Sequence, residues 1–134
     1  MSKIERTVAE KEINEWLERK KVFKSTIEAN EDSVKLLVDG IVEGVLVLDE
    51  SGKFRHELLH PFGGESTAQI KELVYHFRLN DRMLKPYTNG LSPKDAEGRL
   101  LAYIAALTEQ NRVLLESMDS LDKKVATAIA VFFL

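Results

Sequence analysis

Between residues 34 and 79 the spacing of apolar residues changes from a helical repeat to a strand repeat. This change limits the fold more than any single motif. Val34, Leu37, Val38 and Ile41 recur at i, i+3, i+4 and i+7, which puts one face of a helix against a core. Asn30 stands where that helix would be capped, and Gly44 where a left-handed residue would end it. Gly40 lies inside it and costs about 1 kcal/mol relative to alanine. From Val45 the repeat shortens, and VLVLDESGKFRHELLHPF reads as two strands about a turn. Asp49-Glu50-Ser51-Gly52 has the residues of a short hairpin loop, with Gly52 available for positive φ. Pro61 is expected to end the second strand, and Gly63-Gly64-Glu65-Ser66 to connect it onward. A third strand is predicted over residues 70–79, where Leu73, Tyr75, Phe77 and Leu79 alternate with Val74, His76 and Arg78. Strands in series with short links favour an antiparallel meander.

Helices are expected on both sides. Thr7-Val8-Ala9-Glu10 reads as a capping box opening a helix over residues 8–21, where Ile13, Trp16, Leu17 and Lys20 share a narrow face anchored by Trp16. After the strands, Asn80-Asp81 can cap a short helix that stops by Pro86. Ser92-Pro93-Lys94-Asp95 is a helix start, with Leu100, Ile104 and Leu107 beside Tyr103 as its apolar face. Asn111 caps a further short helix carrying Val113, Leu114 and Met118, and Asp119-Ser120 begins the last. The expected fold class is α+β in one domain over 1–134. It has an N-terminal helical segment (1–44), a three-stranded antiparallel β-meander (45–79) and a C-terminal helical subdomain (80–134). A chain of this length buries roughly two thirds of its unfolded surface, enough for a core without staples.

The last helix carries the strongest demand for cover. Leu121, Val125, Ala128, Ile129 and Phe132 form one stripe, with Lys123, Lys124 and Thr127 off it. Val131, Phe132, Phe133 and Leu134 then point all round, since successive helical residues turn by about 100°. Each large apolar side chain gains roughly 1.5–3 kcal/mol on burial, so something must cover them. The domain's own core is the first expectation; a partner or sister subunit is the second.

Composition removes most chemistry. A net charge of -3 argues against nucleic-acid binding. Arg19-Lys20-Lys21 with Lys24 is the only basic cluster, read first as a solvated helix face and second as a phosphate-binding patch. Without cysteine there is no disulfide, thiolate zinc site or cysteine nucleophile. The charged start MSKIERTVAEKE has no apolar signal core, and no window reaches the ~20 apolar residues of a spanning helix, so no membrane is expected. His56 and His60 would stand ~13 Å apart on a strand, too far for one metal ion, although His76 on a paired strand could approach one of them. HPFGGES lacks the Lys-Ser/Thr of a phosphate loop, and Ser66 and Ser92 have no motif placing a base beside them. Asp119 and Asp122 read as acids favoured at a helix start. The expectation is a binding or scaffolding protein, not an enzyme, with no cofactor and no metal.

From about Ser33 onward the chain resembles the tail assembly chaperones of long-tailed bacteriophages and prophages. The resemblance rests on a helix ending LLVDGIVEG, strands around DESGK, and a third strand in VYHFRL broken at Asn80-Asp81. It continues through LLAYIAALTEQN into LESMDSLDKKVATAIAVFF. Asp119, Asp122, Phe132 and Phe133 match the family's aspartate-capped apolar helix ending in aromatic residues; the Trp16 helix lies outside the matched part. The resemblance implies a cytoplasmic protein of the bacterial host cell that coats the tape measure protein and recruits tail tube protein. It also implies homo-oligomers such as rings or spirals, and a second, longer form made by ribosomal frameshifting. Trp16, Ile129, Phe132 and Phe133 are the residues expected to bind the partner, because amphipathic helices can hold apolar helical segments reversibly. The alternative is a small acidic dimeric chaperone or adaptor of another system, such as a secretion chaperone.

Overall fold

Most elements form where the apolar repeat is regular, but tertiary hydrogen bonds decide where several of them stop. The computed structural model describes residues 4–64 and 68–134. In chain order come α1 (Arg6–Lys20), α2 (Lys24–Ala29), α3 (Glu31–Val42), β1 (Leu46–Leu48), β2 (Phe54–Phe62) and β3 (Ile70–Tyr75). They are followed by α4 (Asp81–Thr88), α5 (Ala96–Thr108), α6 (Arg112–Leu115) and α7 (Ser120–Ala130). The fold is α+β: N-terminal helices, a three-stranded antiparallel sheet in the order β1-β2-β3, and C-terminal helices.

The sheet has a dry face and a wet face. Leu46, His56 and Leu73 form one cross-strand row and are buried, while the next row, Val47, Arg55 and Val74, is exposed. Helix α7 packs against α3, α5 and β2, so it runs through the middle of the core. Gly44 closes α3 at φ 80°, and the Val45 N–H donates to the Gly40 carbonyl at 2.9 Å. Gly40 lets α3 approach β1 closely, since a Cβ there would stand 2.8 Å from Leu46 Cδ1. Packing against the sheet offsets the propensity lost by a helical glycine. The hairpin turn is ordered by Asp49, whose Oδ1 accepts from the Ser51 N–H (2.9 Å), the Ser51 hydroxyl (2.6 Å) and the Lys53 N–H (3.0 Å). The Ser51 hydroxyl is the main cause that holds the Asp49 carboxyl below the usual range.

Several boundaries differ from expectation. Thr7 lies inside α1, not before it. Glu5 is the cap residue without a side-chain capping bond, and the Ile4 N–H donates to the Val42 carbonyl of α3 at 3.4 Å. Helix α2 has no buried residue and no side-chain cap, so no apolar repeat announced it. Asn30 makes no cap for α3; its amide donates to the Thr26 carbonyl at 2.8 Å. Pro61 lies within β2, where the β2–β3 register is irregular between Glu57 and Phe62 and no ladder bond is lost. Glu65 and Ser66 of the connector lie outside the described residues. Strand β3 ends at Tyr75, not Leu79, because the His76 N–H donates to the Leu107 carbonyl (2.9 Å) at the end of α5. Pro86 lies inside α4; the last turn is held from outside by Arg112, which donates to the Tyr87 carbonyl at 2.7 Å. Asp95, not Ser92, caps α5 by accepting from the Gly98 N–H at 2.9 Å. Leu115, not Val113, is the buried residue of α6, and Leu121 at the start of α7 is exposed. The caps at Asn80, Asn111 and Asp119 form as expected.

Candidate functional site

The sequence directs attention to Trp16, Ile129, Phe132 and Phe133, and the fold brings their elements into one joint. The α1 stripe turns Trp16 toward the end of α7. Its ring centroid lies 6.0 Å from that of Phe132, 6.1 Å from Phe133 and 4.9 Å, edge-on, from Phe54 of β2. The indole N–H, which burial would otherwise leave unpaired, donates to the Gly52 carbonyl at 3.0 Å. One side chain thus ties the first helix, the hairpin turn and the last helix together. Trp16 is 1% exposed, Ile129 0% and Phe132 7%. They are core residues here and offer no free surface to a partner. The apolar demand of Phe132, and part of that of Phe133, is met by the chain's own α1. Phe133 is half-buried, and Leu134 is 67% exposed.

The cations of α1 complete the cover. Lys20 Nζ stands 3.6 Å above the Phe133 ring centroid and donates to the Phe77 carbonyl at 2.7 Å. Arg19 lies over the Phe77 ring at 5.1 Å and donates to the Glu50 carbonyl at 3.3 Å. Of the basic cluster, these residues are therefore committed to ring faces and carbonyls, a use of amphipathic stems that neither sequence reading anticipated. Burial, and secondarily the Arg78 guanidinium, push Lys20 down to about 8.

A second constellation joins β2, β3 and α7. Asp122, in the first turn of α7, is 0% exposed. It accepts from the Leu59 N–H at 2.8 Å and the His60 N–H at 2.9 Å, in the stretch where β2 leaves its ladder. His56 Nε2 stands 3.5 Å from Asp122 Oδ1, and His56 Nδ1 is 2.9 Å from the Tyr75 hydroxyl. Burial, and secondarily the charge of Asp122, raise Tyr75 well above its ordinary range. The phenol therefore keeps its proton, and it can donate that proton to Nδ1. This direction goes with the tautomer that carries the ring proton on Nε2, the nitrogen that faces the Asp122 carboxylate without a hydrogen bond of normal geometry. Burial pushes His56 down to about 4, against the pull of Asp122 toward the charged ring. The order carboxylate, imidazole, hydroxyl resembles a catalytic relay. All three side chains are 0% exposed, however, so it works as a clamp inside the core.

This clamp is what the sequence reading missed. Asp122 looked like a second acid at a helix start, yet it occupies the buried stripe with Val125, Ala126 and Ile129, at i+3, i+4 and i+7. Helical phase would have marked it. His60 is exposed, and His76, just after β3, has its Nε2 3.0 Å from Glu109 Oε2. Ser92 accepts from the Lys94 N–H at 3.2 Å in the turn before α5. Among the described residues no group of three or more His, Cys, Asp or Glu could hold a metal ion, and no helix is long and apolar enough to cross a membrane. Compared with known protein families, curated proteins and solved structures, the chain matches none of them.

Proposed function

We propose that this protein is a non-enzymatic tail assembly chaperone of a long-tailed phage or prophage. In this reading it acts in the cytoplasm of the bacterial host as a homo-oligomer, binds the tape measure protein and recruits tail tube subunits. The observation that carries the reading is element order. A helix closing on Gly44, a meander turning at Asp49–Gly52, a break capped by Asn80 and a last helix capped by Asp119 follow one another in the resembling layout. The polar network of Asp122, His56 and Tyr75 is sealed in the core, while Phe23, Val47, Leu59 and Leu134 stand exposed. That distribution suits weak, repeated contacts along a long partner, whose avidity grows with their number.

The test is co-expression of the tagged chain with a tape measure protein and a tail tube protein encoded beside it, followed by pull-down and mass spectrometry. Recovery of either with the chain supports the reading. Soluble expression of both, with the chain coming down alone, overturns it. A compact dimer in sedimentation would then favour the small adaptor of another system.

A further inference from the structure

We propose that the cleft between the α1–α2 turn, the stretch after β3 and the segment after α7 docks an acidic, apolar-anchored segment of a partner protein. The cleft has a volume of about 290 Å³ and is floored by Val131 and Phe132. That is room for a few side chains rather than a cofactor. Three cations line it: Lys20, Lys21 and Arg78. Its lining includes no acidic side chain, and among the described residues none of the three has a carboxylate within ion-pair distance. Arg6 meets Asp39, Arg55 meets Glu72 and Lys123 meets Glu97, whereas among the described residues no such pair forms in the cleft. In a chain of net charge -3, this concave spot gathers three cationic side chains and no acidic one.

The cations also work against one another. Arg78 adds to burial in lowering Lys20. An entering carboxylate relieves that repulsion. At the rim stands Phe23, 78% exposed, on a turn where it caps nothing with its side chain, and Leu134 faces the same opening. An aromatic rim over a recessed apolar floor, beside cations that meet no carboxylate side chain, fits a segment that brings both an apolar anchor and acids. A flat lipid surface or a phosphate backbone would leave the floor unfilled. The proposal rests on the reading of this chain as a binding protein, but on no particular partner.

The probe is a fluorescein-labelled synthetic helical peptide with leucine on one face and glutamate on the other; its control carries lysine for glutamate. Fluorescence anisotropy is read against the full chain, against a K21E/R78E double variant and against F23S. All three substituted side chains are exposed, and circular dichroism checks that each variant stays folded. The expected result is binding of the glutamate peptide only. Affinity should fall about tenfold or more in K21E/R78E and in F23S, and with added salt. No binding by the wild-type chain overturns the proposal, as does an affinity that ignores the charge reversal. Binding to phosphatidylserine vesicles in place of the peptide overturns it in favour of a lipid surface. Self-association abolished by F23S overturns it in favour of a second copy of this chain. Because the peptide contains no phage sequence, its result stands apart from that of the tape measure pull-down.

Discussion

Asp122 holds the part of β2 that the sheet itself leaves unpaired. Its two oxygens take the Leu59 and His60 N–H groups, donors that would otherwise lack partners where the β2–β3 register breaks. Asp122→Ala should lower the unfolding free energy by about 3 kcal/mol, since buried donors to a charged acceptor lose their bonds together. Urea unfolding checks this, and a loss below about 1 kcal/mol would remove the clamp from the account. His56 gives the pH dependence. Its pKa is about 4 in the fold, against an ordinary value of 6.5, so the unfolded chain binds more protons between these values. The stability linked to His56 is therefore complete above pH 6.5 and is lost as pH falls toward 4. The urea midpoint measured across that range should drop on the acid side, and His56→Gln should flatten the slope. The sequence showed His56 on a strand face and Asp122 on a helix. Their meeting depends on how α7 crosses β2, which no local pattern records.

At the scale of elements, legibility followed capping chemistry. Asn80, Asn111 and Asp119 could be read as caps because each satisfies donors on its own helix, a purely local act. The strand alternation through Tyr75 was equally plain. Three misplaced ends were set from elsewhere in the chain: β3 by the Leu107 carbonyl, the start of α1 by Val42, and the last turn of α4 by Arg112; the start of α5 was a local miss, at Asp95 and not Ser92. The hairpin turn shows both kinds of control. Gly52 was expected at positive φ and adopts 87°, but Phe77 also packs where its Cβ would be, with Cδ1 at 2.6 Å. Gly52→Ala should therefore cost about 2 kcal/mol or more, through backbone strain and crowding together. A thermal melt checks it; an unchanged midpoint would mean that Phe77 moves aside freely.

Across the whole molecule, the sequence made clear that the stretch around Phe132 needs cover, and left open what covers it. Trp16 was visible as an anchor in the same way, with its partner unnamed. Each stripe is legible alone, but their pairing is a property of the tertiary arrangement. The joint separates two phenylalanines by role. Phe132→Ala, in the core, should cost about 3–5 kcal/mol. F23S should leave the denaturation midpoint nearly unmoved, because Phe23 is exposed. Equal losses in the two would contradict the placement of Phe132 in the joint.

The joint also has a consequence in time. Trp16 and Phe132 stand far apart in sequence, with the whole sheet between them. During synthesis α1 leaves the ribosome long before α7, so the indole face waits uncovered until the α7 stretch emerges. Contacts of this kind must close a long loop before they return any stabilisation, which slows folding and lengthens exposure to aggregation. The molecule is thus most vulnerable as a nascent chain.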